Sequence, residues 1–346
     1  MADQQELRND KARLILVTGG AGLIGSAVIW CLNQMGYENI VVVDHLGSGE
    51  KWQNLRTLRF RDYYEKDRFR ELLSENHFPL PFEVIFHLGA CSDTTEQDAS
   101  YLIGNNFEYG KLLADYALCH GSRMIYASSA ATYGDGEHGF GDNEAEIHQL
   151  RPLNKYGYSK QIFDQYLLQQ GVLLKQSACG ASFVGLKYSN VFGPNEYHKA
   201  HMRSMVLRAF EQIQASGKVQ LFKSYCPEYS DGESVRDFLY VKDAAAMTIF
   251  FMQEGSQSCG LFNIGFGKVR SWLDLAHAMF KALEKKSEVE FIDMPEDLRS
   301  RYQYYTCLDT SKLYAAGYQQ QPMLLEDAVA DYVQYLKNAA HLGDLD

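Results

Sequence analysis

Leu14-Ile-Leu-Val-Thr-Gly-Gly-Ala-Gly-Leu-Ile-Gly25 runs four apolar residues straight into a glycine-rich turn. A short apolar run closed by Thr-Gly-Gly suits a strand buried on both faces of a parallel sheet. Leu23 to Met35 then carries helical periodicity with Gly36 as its stop, and Ile40-Val-Val-Val43 is a second buried run. Together they form a strand-helix-strand unit, whose crossover is right-handed. Gly19, Gly22 and Gly25 make a G-x-x-G-x-x-G loop, with Leu23 and Ile24 opening the helix. Glycines there let the backbone turn tightly and approach a pyrophosphate, whose charge rests against the free amides of the helix N-terminus.

Outward from this unit the alternation continues. Val84-Ile-Phe86, a helix near Phe107 to Cys119, Met124-Ile-Tyr126, a helix from Tyr156 to about Gln170, and Phe183 to Tyr188 follow in turn. The pattern predicts an α/β fold, a doubly wound parallel sheet over residues 13–188. Beyond Pro194 the rhythm changes to a helix near Met202 to Ala215, short strands, a helix near Trp272 to Leu283 and tyrosine-rich loops before a final helix. Residues 189–346 therefore read as mainly a smaller substrate-binding domain. Segments such as Phe262-Asn-Ile264 are candidates to return to the main sheet, and residues 1–12 are a polar tail.

Composition excludes several classes of function. The 346 residues are 46% hydrophobic and 22% charged, ordinary for a globular enzyme. A formal net charge of -11 opposes attraction to nucleic acid and to anionic lipid. The start of the chain lacks an apolar leader core and no segment has the apolar length of a membrane span, so a cytoplasmic location is expected. Cys31, Cys91, Cys119, Cys179, Cys226, Cys259 and Cys307 lack the close spacing of metal or redox sites. They read as reduced, mostly buried thiols, and no metal is expected.

Asp44 closes the second strand, where a carboxylate can accept hydrogen bonds from ribose hydroxyls, a mark of NAD. Lys51 and Lys66 follow, and either could neutralise the 2′-phosphate of NADP, so these residues leave the cofactor open.

In Tyr156-Gly-Tyr-Ser-Lys160 the first tyrosine and the lysine stand four residues apart, on one face of the predicted helix. A phenol of pKa about 10 is a poor base at neutral pH, but a neighbouring ammonium favours the phenolate. Tyr156 could then take a proton from an alcohol as hydride leaves the same carbon, while Lys160 also holds the nicotinamide ribose. Ala127-Ser-Ser-Ala-Ala131, at the end of the preceding strand, offers the third hydroxyl. Ser129 is favoured, with Ser128 expected to satisfy backbone groups. Tyr158, two residues from Lys160, points elsewhere and is assigned to packing; Tyr133 could reach the substrate or form a wall of its site.

With this set and the downstream Arg236-Asp-Phe-Leu-Tyr-Val-Lys-Asp243 segment, the chain resembles the extended short-chain dehydrogenase/reductases, and within them the nucleotide-sugar epimerases of the ADP-heptose 6-epimerase family. The likeness runs from about residue 13 to about 338. It rests on His87-Leu-Gly-Ala-Cys-Ser92, Tyr126-Ala-Ser-Ser-Ala-Ala-Thr-Tyr-Gly134, Asn190-Val-Phe-Gly-Pro194, His198-Lys199, Gly265-Phe-Gly267 and Arg301-Tyr-Gln303. The resemblance implies a Rossmann-type domain, NADP as cofactor with NAD as the alternative, and inversion at C6 of an ADP-activated heptose for lipopolysaccharide core synthesis. It also implies a homo-oligomer, a pentamer in that family.

By the same resemblance His45, Leu88, Gly89, Ala90, Cys91, Ser92 and Asn105 join the cofactor site. Lys199, a surface lysine on residues alone, becomes a second proton-transfer group. Asn190, Val191, His201, Arg208, Leu221, Phe222, Arg236 and Tyr302 fall on the substrate side, with Arg236 as the pyrophosphate clamp. Three residues depart from the family pattern: His45 stands where asparagine is frequent, and Arg208 and Lys223 are unexpected. The stretches from Asp135 to His148 and from Tyr225 to Ser234 lengthen loops near the mouth.

Overall fold

Along the run from Leu14 to Val17, Leu14 and Leu16 enter one hydrophobic core while Ile15 and Val17 enter another. Alternate side chains of a strand leave opposite faces, so this apolar run is buried on both sides by helices. The computed structural model describes residues 12–345 apart from 76, 77, 79, 80, 300 and 301. The polar tail up to Lys11, and Arg301 of the Arg301-Tyr-Gln303 string, lie outside the described residues.

The strands, in chain order, are β1 Ile15–Thr18, β2 Ile40–Asp44, β3 Asp62–Glu65, β4 Val84–His87, β5 Arg123–Ser129, β6 Ser182–Tyr188, β7 Asn190–Phe192, β8 Val219–Phe222, β9 Val235–Arg236, β10 Phe238–Tyr240, β11 Gly260–Ile264, β12 Arg270–Ser271 and β13 Val289–Ile292. A seven-stranded sheet has the order β11-β6-β5-β4-β1-β2-β3, parallel at every pairing. The doubly wound α/β fold read from the sequence is therefore the fold observed. Phe262-Asn-Ile264 does return to the main sheet, as part of β11 against β6.

Differences from the sequence reading have local causes. Edge strand β3 and the following helix, Lys66–Ser74, have no counterpart in that reading. β3 is Asp-Tyr-Tyr-Glu with both acids exposed and carries no apolar run. The helix expected from Phe107 becomes α-helical only at Tyr109, after a π-helical turn over Ile103–Glu108. None of the seven cysteines is buried, and Cys119 and Cys179 are exposed. Cys179 sits on a turn, where its Sγ donates to the Leu118 carbonyl at 2.8 Å.

The rest of the second half builds three separate two-stranded pairs, β10-β7, β12-β9 and β13-β8. Helices Met205–Ser216, Trp272–Ala282 and Leu325–Lys337 pack beside them through Ile213, Leu275, Met279 and Val333. Among the described residues no helix is long and apolar enough to cross a membrane.

Candidate active site

Sheet order reverses between β1 and β4, and in such sheets ligands bind outside the strand ends at that switch point. A cavity of about 680 Å³ opens there, in the range of small-molecule sites. Its phosphate end is the Gly19–Gly25 loop facing Leu88, Gly89, Ala90 and Ser92. Gly19 has φ 70°, and a Cβ there would lie 2.5 Å from Gly89 N; one on Gly25 would lie 2.1 Å from the Gly19 carbonyl oxygen. Side chains are thus excluded from both positions. The helix Leu23–Gln34 begins at Gly22 with no side-chain cap, leaving first-turn amides available to an anion. This bare cradle fits a dinucleotide pyrophosphate.

At the next part of the wall, Asp44 is buried and already engaged: Oδ2 accepts from Ala21 N at 2.8 Å, Oδ1 from His45 N at 2.6 Å, and Lys51 Nζ pairs with it. Lys51 lines the cavity. Lys66 and His45 are not among its lining residues. Lys66 donates to Asn105 Oδ1 at 2.9 Å, and the exposed His45 ring meets Glu65 at 2.6 Å, because β3 brings Glu65 beside the end of β2. Cys91 and Asn105 are likewise outside the lining. Both are tied to Asn106, whose Oδ1 accepts from Cys91 N at 2.8 Å and from Asn105 Nδ2 at 3.1 Å.

Ser129, Tyr156 and Lys160 meet on the same cavity. The helix Lys155–Gln169 is capped by Asn154, whose side chain accepts from Gly157 N at 2.7 Å. Burial raises the Tyr156 phenol, and its hydrogen bond with Ser129 opposes that shift. Lys160 donates to the Ala127 carbonyl at 3.0 Å; burial lowers it to about 8, against the pull of Asp164. Ser128 does not serve the backbone: it donates to Asp164 Oδ2 at 2.7 Å. Tyr158 is not packed but 55% exposed, since the face opposite Tyr156 and Lys160 is the solvent face. Tyr133 is buried, donates to Asn263 Oδ1 at 2.6 Å and stays off the cavity wall.

On the other side, Asn190, Val191, Lys199, His201, Arg208, Leu221, Phe222 and Tyr302 all line the cavity. Lys199 is half-buried, and burial lowers its affinity for protons while Glu196 raises it. Arg236 is brought near but not into the lining. Its guanidinium lies between the rings of Trp272 and Tyr302, 5.4 Å from each centroid, and donates to the carbonyls of Val235 and Gln303. Lys223 is also outside, paired with Asp293 at 3.1 Å.

Two acid-base side chains, a hydroxyl and a phosphate cradle thus share one cavity, an arrangement suited to reversible alcohol-ketone chemistry beside a nicotinamide. Residues 15–265 match the NAD dependent epimerase/dehydratase family. The chain belongs to this family. A relative named ADP-L-glycero-D-manno-heptose-6-epimerase from Nitratidesulfovibrio vulgaris (strain DP4) is 46% identical over 327 residues, 94% of this chain and 99% of that one. Another of the same name from Fusobacterium nucleatum is 45% identical, covering 93% of this chain and 97% of its own. Among solved structures, the Helicobacter pylori ADP-L-glycero-D-manno-heptose-6-epimerase has 26% identity and a TM-score of 0.77, over 95% of this chain and 98% of that one. A Thermotoga maritima UDP-glucose 4-epimerase solved with UDP-glucose has 25% identity and a TM-score of 0.75, over 94% and 99%.

Sequence reasoning about this epimerase-family chain missed two residues, one in the site and one beside it. Trp272 lines the cavity and donates from Nε1 to the Tyr302 hydroxyl at 3.0 Å. Asn106 joins the loop after β4 to the tyrosine-lysine helix by donating to Cys91 O at 3.0 Å and to Ser159 Oγ at 2.9 Å. No motif marks either one, because their partners lie 15 to 53 residues away.

Proposed function

We propose that this chain interconverts ADP-D-glycero-D-manno-heptose and ADP-L-glycero-D-manno-heptose by inversion at C6. The observation that carries this reading is that Tyr156 and Lys199, from separate segments, line one cavity with the phosphate cradle. C6 of the sugar is an alcohol carbon without an acidic proton, so direct deprotonation cannot invert it. A bound nicotinamide supplies reversible acceptance of hydride from that carbon. The residues supply the proton traffic: Tyr156 takes the hydroxyl proton from one epimer and Lys199 from the other, and C6 is a planar ketone between the two events. Ser129 holds the carbonyl oxygen beside Tyr156. Burial keeps the proton affinity of Lys199 down, which suits a lysine to giving and taking a proton near neutral pH.

NADP is the cofactor this reading favours, with Lys51 as the cation for the 2′-phosphate. Asn190, Val191 and Tyr302 hold the sugar nucleotide, and Arg236 serves by stiffening the Trp272 and Tyr302 walls as well as by its charge. Incubation of the purified protein with ADP-D-glycero-D-manno-heptose, followed by chromatographic separation of the C6 epimers, tests the proposal beside a Tyr156→Phe/Lys199→Met control. Conversion that the double variant lacks supports it. An inactive wild type that carries bound cofactor rejects the heptose and directs the search to UDP- and dTDP-sugars.

A further inference from the structure

The segment carrying Lys199 is anchored from two directions through one residue that never touches the cavity. Asn195 is fully buried and is absent from the lining. Its φ is 76°, a left-handed conformation that asparagine tolerates better than other side-chain-bearing residues. On one side its Nδ2 donates to Ser26 Oγ at 2.9 Å, in the first turns of the helix that opens the phosphate loop. On the other its Oδ1 accepts from Leu342 N at 3.0 Å. Its carbonyl accepts from Asn54 Nδ2 at 2.9 Å, and the same amide group donates to Ala21 O, inside the phosphate loop, at 2.8 Å.

Neighbouring contacts repeat the arrangement. Tyr197 donates to the Ala340 carbonyl at 2.8 Å, and the Leu342 carbonyl accepts from Thr57 Oγ1 at 2.7 Å. Leu342, 0% exposed, seals this junction. Four residues past Asn195, Lys199 leaves the anchored stretch and enters the cavity wall.

We infer that Asn195 is a positioning residue for Lys199, tying the second proton-transfer group to the helix that cradles the cofactor pyrophosphate; this rests on the role of Lys199 proposed above. The bonds are to groups that do not react, so the residue acts only through where it puts Lys199. A displacement of about 1 Å in a reacting group can cost on the order of a hundredfold in rate. Steady-state binding of the sugar nucleotide, made by other residues, should change far less.

The test is a mutant cycle on the full-length protein at saturating cofactor, with kcat and KM measured for C6 interconversion and folding followed by urea denaturation. Asn195→Gly keeps the positive φ without strain and deletes the amide; Ser26→Ala removes the acceptor of Asn195 Nδ2 together with the hydroxyl's own bond to the Gly22 carbonyl at 2.6 Å, so cofactor affinity is measured beside kcat for that variant. Each is made in the wild-type and Lys199→Met backgrounds. Asn195→Gly should lower kcat about ten- to a hundredfold with KM within about threefold of wild type, and Ser26→Ala should lower kcat by a smaller factor. Neither should slow the Lys199→Met enzyme further, since both act through that lysine. Equal losses in both backgrounds, or an unchanged kcat in a folded Asn195→Gly enzyme, would overturn the inference. Should Asn195→Gly not fold, Ser26→Ala decides: a kcat loss confined to the Lys199 background with cofactor affinity unchanged supports the inference, and a loss shared by the Lys199→Met enzyme or no loss at all overturns it. A Lys199→Met enzyme as fast as wild type sinks the assignment of Lys199, and this inference with it.

Discussion

Lys187 Nζ and Asp164 Oδ2 meet at 3.0 Å with their side chains 1% and 0% exposed. Asp164 also accepts from Tyr126 at 2.9 Å and Ser128 at 2.7 Å, and Lys187 donates to Thr132 at 2.7 Å. The pair therefore joins β6 to the helix bearing Tyr156 and Lys160, and the Tyr126 and Ser128 hydroxyls tie the end of β5, where Ser129 sits, to the same carboxylate.

Removing one partner of this pair should be severe. Lys187→Met leaves a buried carboxylate with two hydroxyl donors and no cation in contact with it, and breaking a buried pair costs about 3–5 kcal/mol. Urea denaturation should show that loss, and the double variant Lys187→Met/Asp164→Leu should recover part of it. A Lys187→Met protein as stable as wild type would show that the pair contributes nothing.

Lys160 makes a pH-dependent prediction. Its folded value of about 8 lies below the ordinary 10.5, so between those values the unfolded chain binds more protons and stability rises with pH. Lys160→Met removes the buried cation. Without cofactor, it should melt higher than wild type at pH 7, and the gap should narrow as pH climbs from about 8 towards 10.5. Catalysis should be lost throughout. Parallel melting curves at every pH would contradict the depressed value.

Gly157 lets the helix bearing Tyr156 and Lys160 approach the turn after Ser129. A Cβ there would lie 2.7 Å from the Ala131 carbonyl oxygen, so Gly157→Ala must push the helix from the turn. We expect kcat to fall by on the order of a hundredfold while the phosphate cradle, made by other segments, still retains cofactor. Activity and the absorbance of bound nicotinamide in the purified variant check both halves.

Of the two lysine candidates for the cofactor 2′-phosphate, Lys51 alone lines the cavity. Lys51→Ala should weaken NADP binding about tenfold and NAD binding about twofold or less. Lys66→Ala should alter neither, since that ammonium is held by Asn105. Fluorescence titrations of both variants decide; a selective NADP loss from Lys66→Ala would reverse the assignment.

What the sequence by itself determined is whatever local periodicity and spacing encode. The run from Leu14 to Gly25 specifies a strand, a bare glycine turn and a helix start, because every contact involved is short-range or depends on the absence of side chains. Tyr156 and Lys160 share a face because four residues make about one helical turn. Tertiary structure alone decided which charged groups reach the cavity. Lys51 and Lys66 are alike as cations on paper, and Asn105 takes Lys66; the edge strand β3 gives the His45 ring the carboxylate of Glu65. Arg236 reads as a free clamp until Trp272 and Tyr302 close over it. The same holds for Asn195, whose three bonds reach Ser26, Asn54 and Leu342. Periodicity carries no information about partners so far along the chain, and only the packed fold brings them within hydrogen-bonding distance.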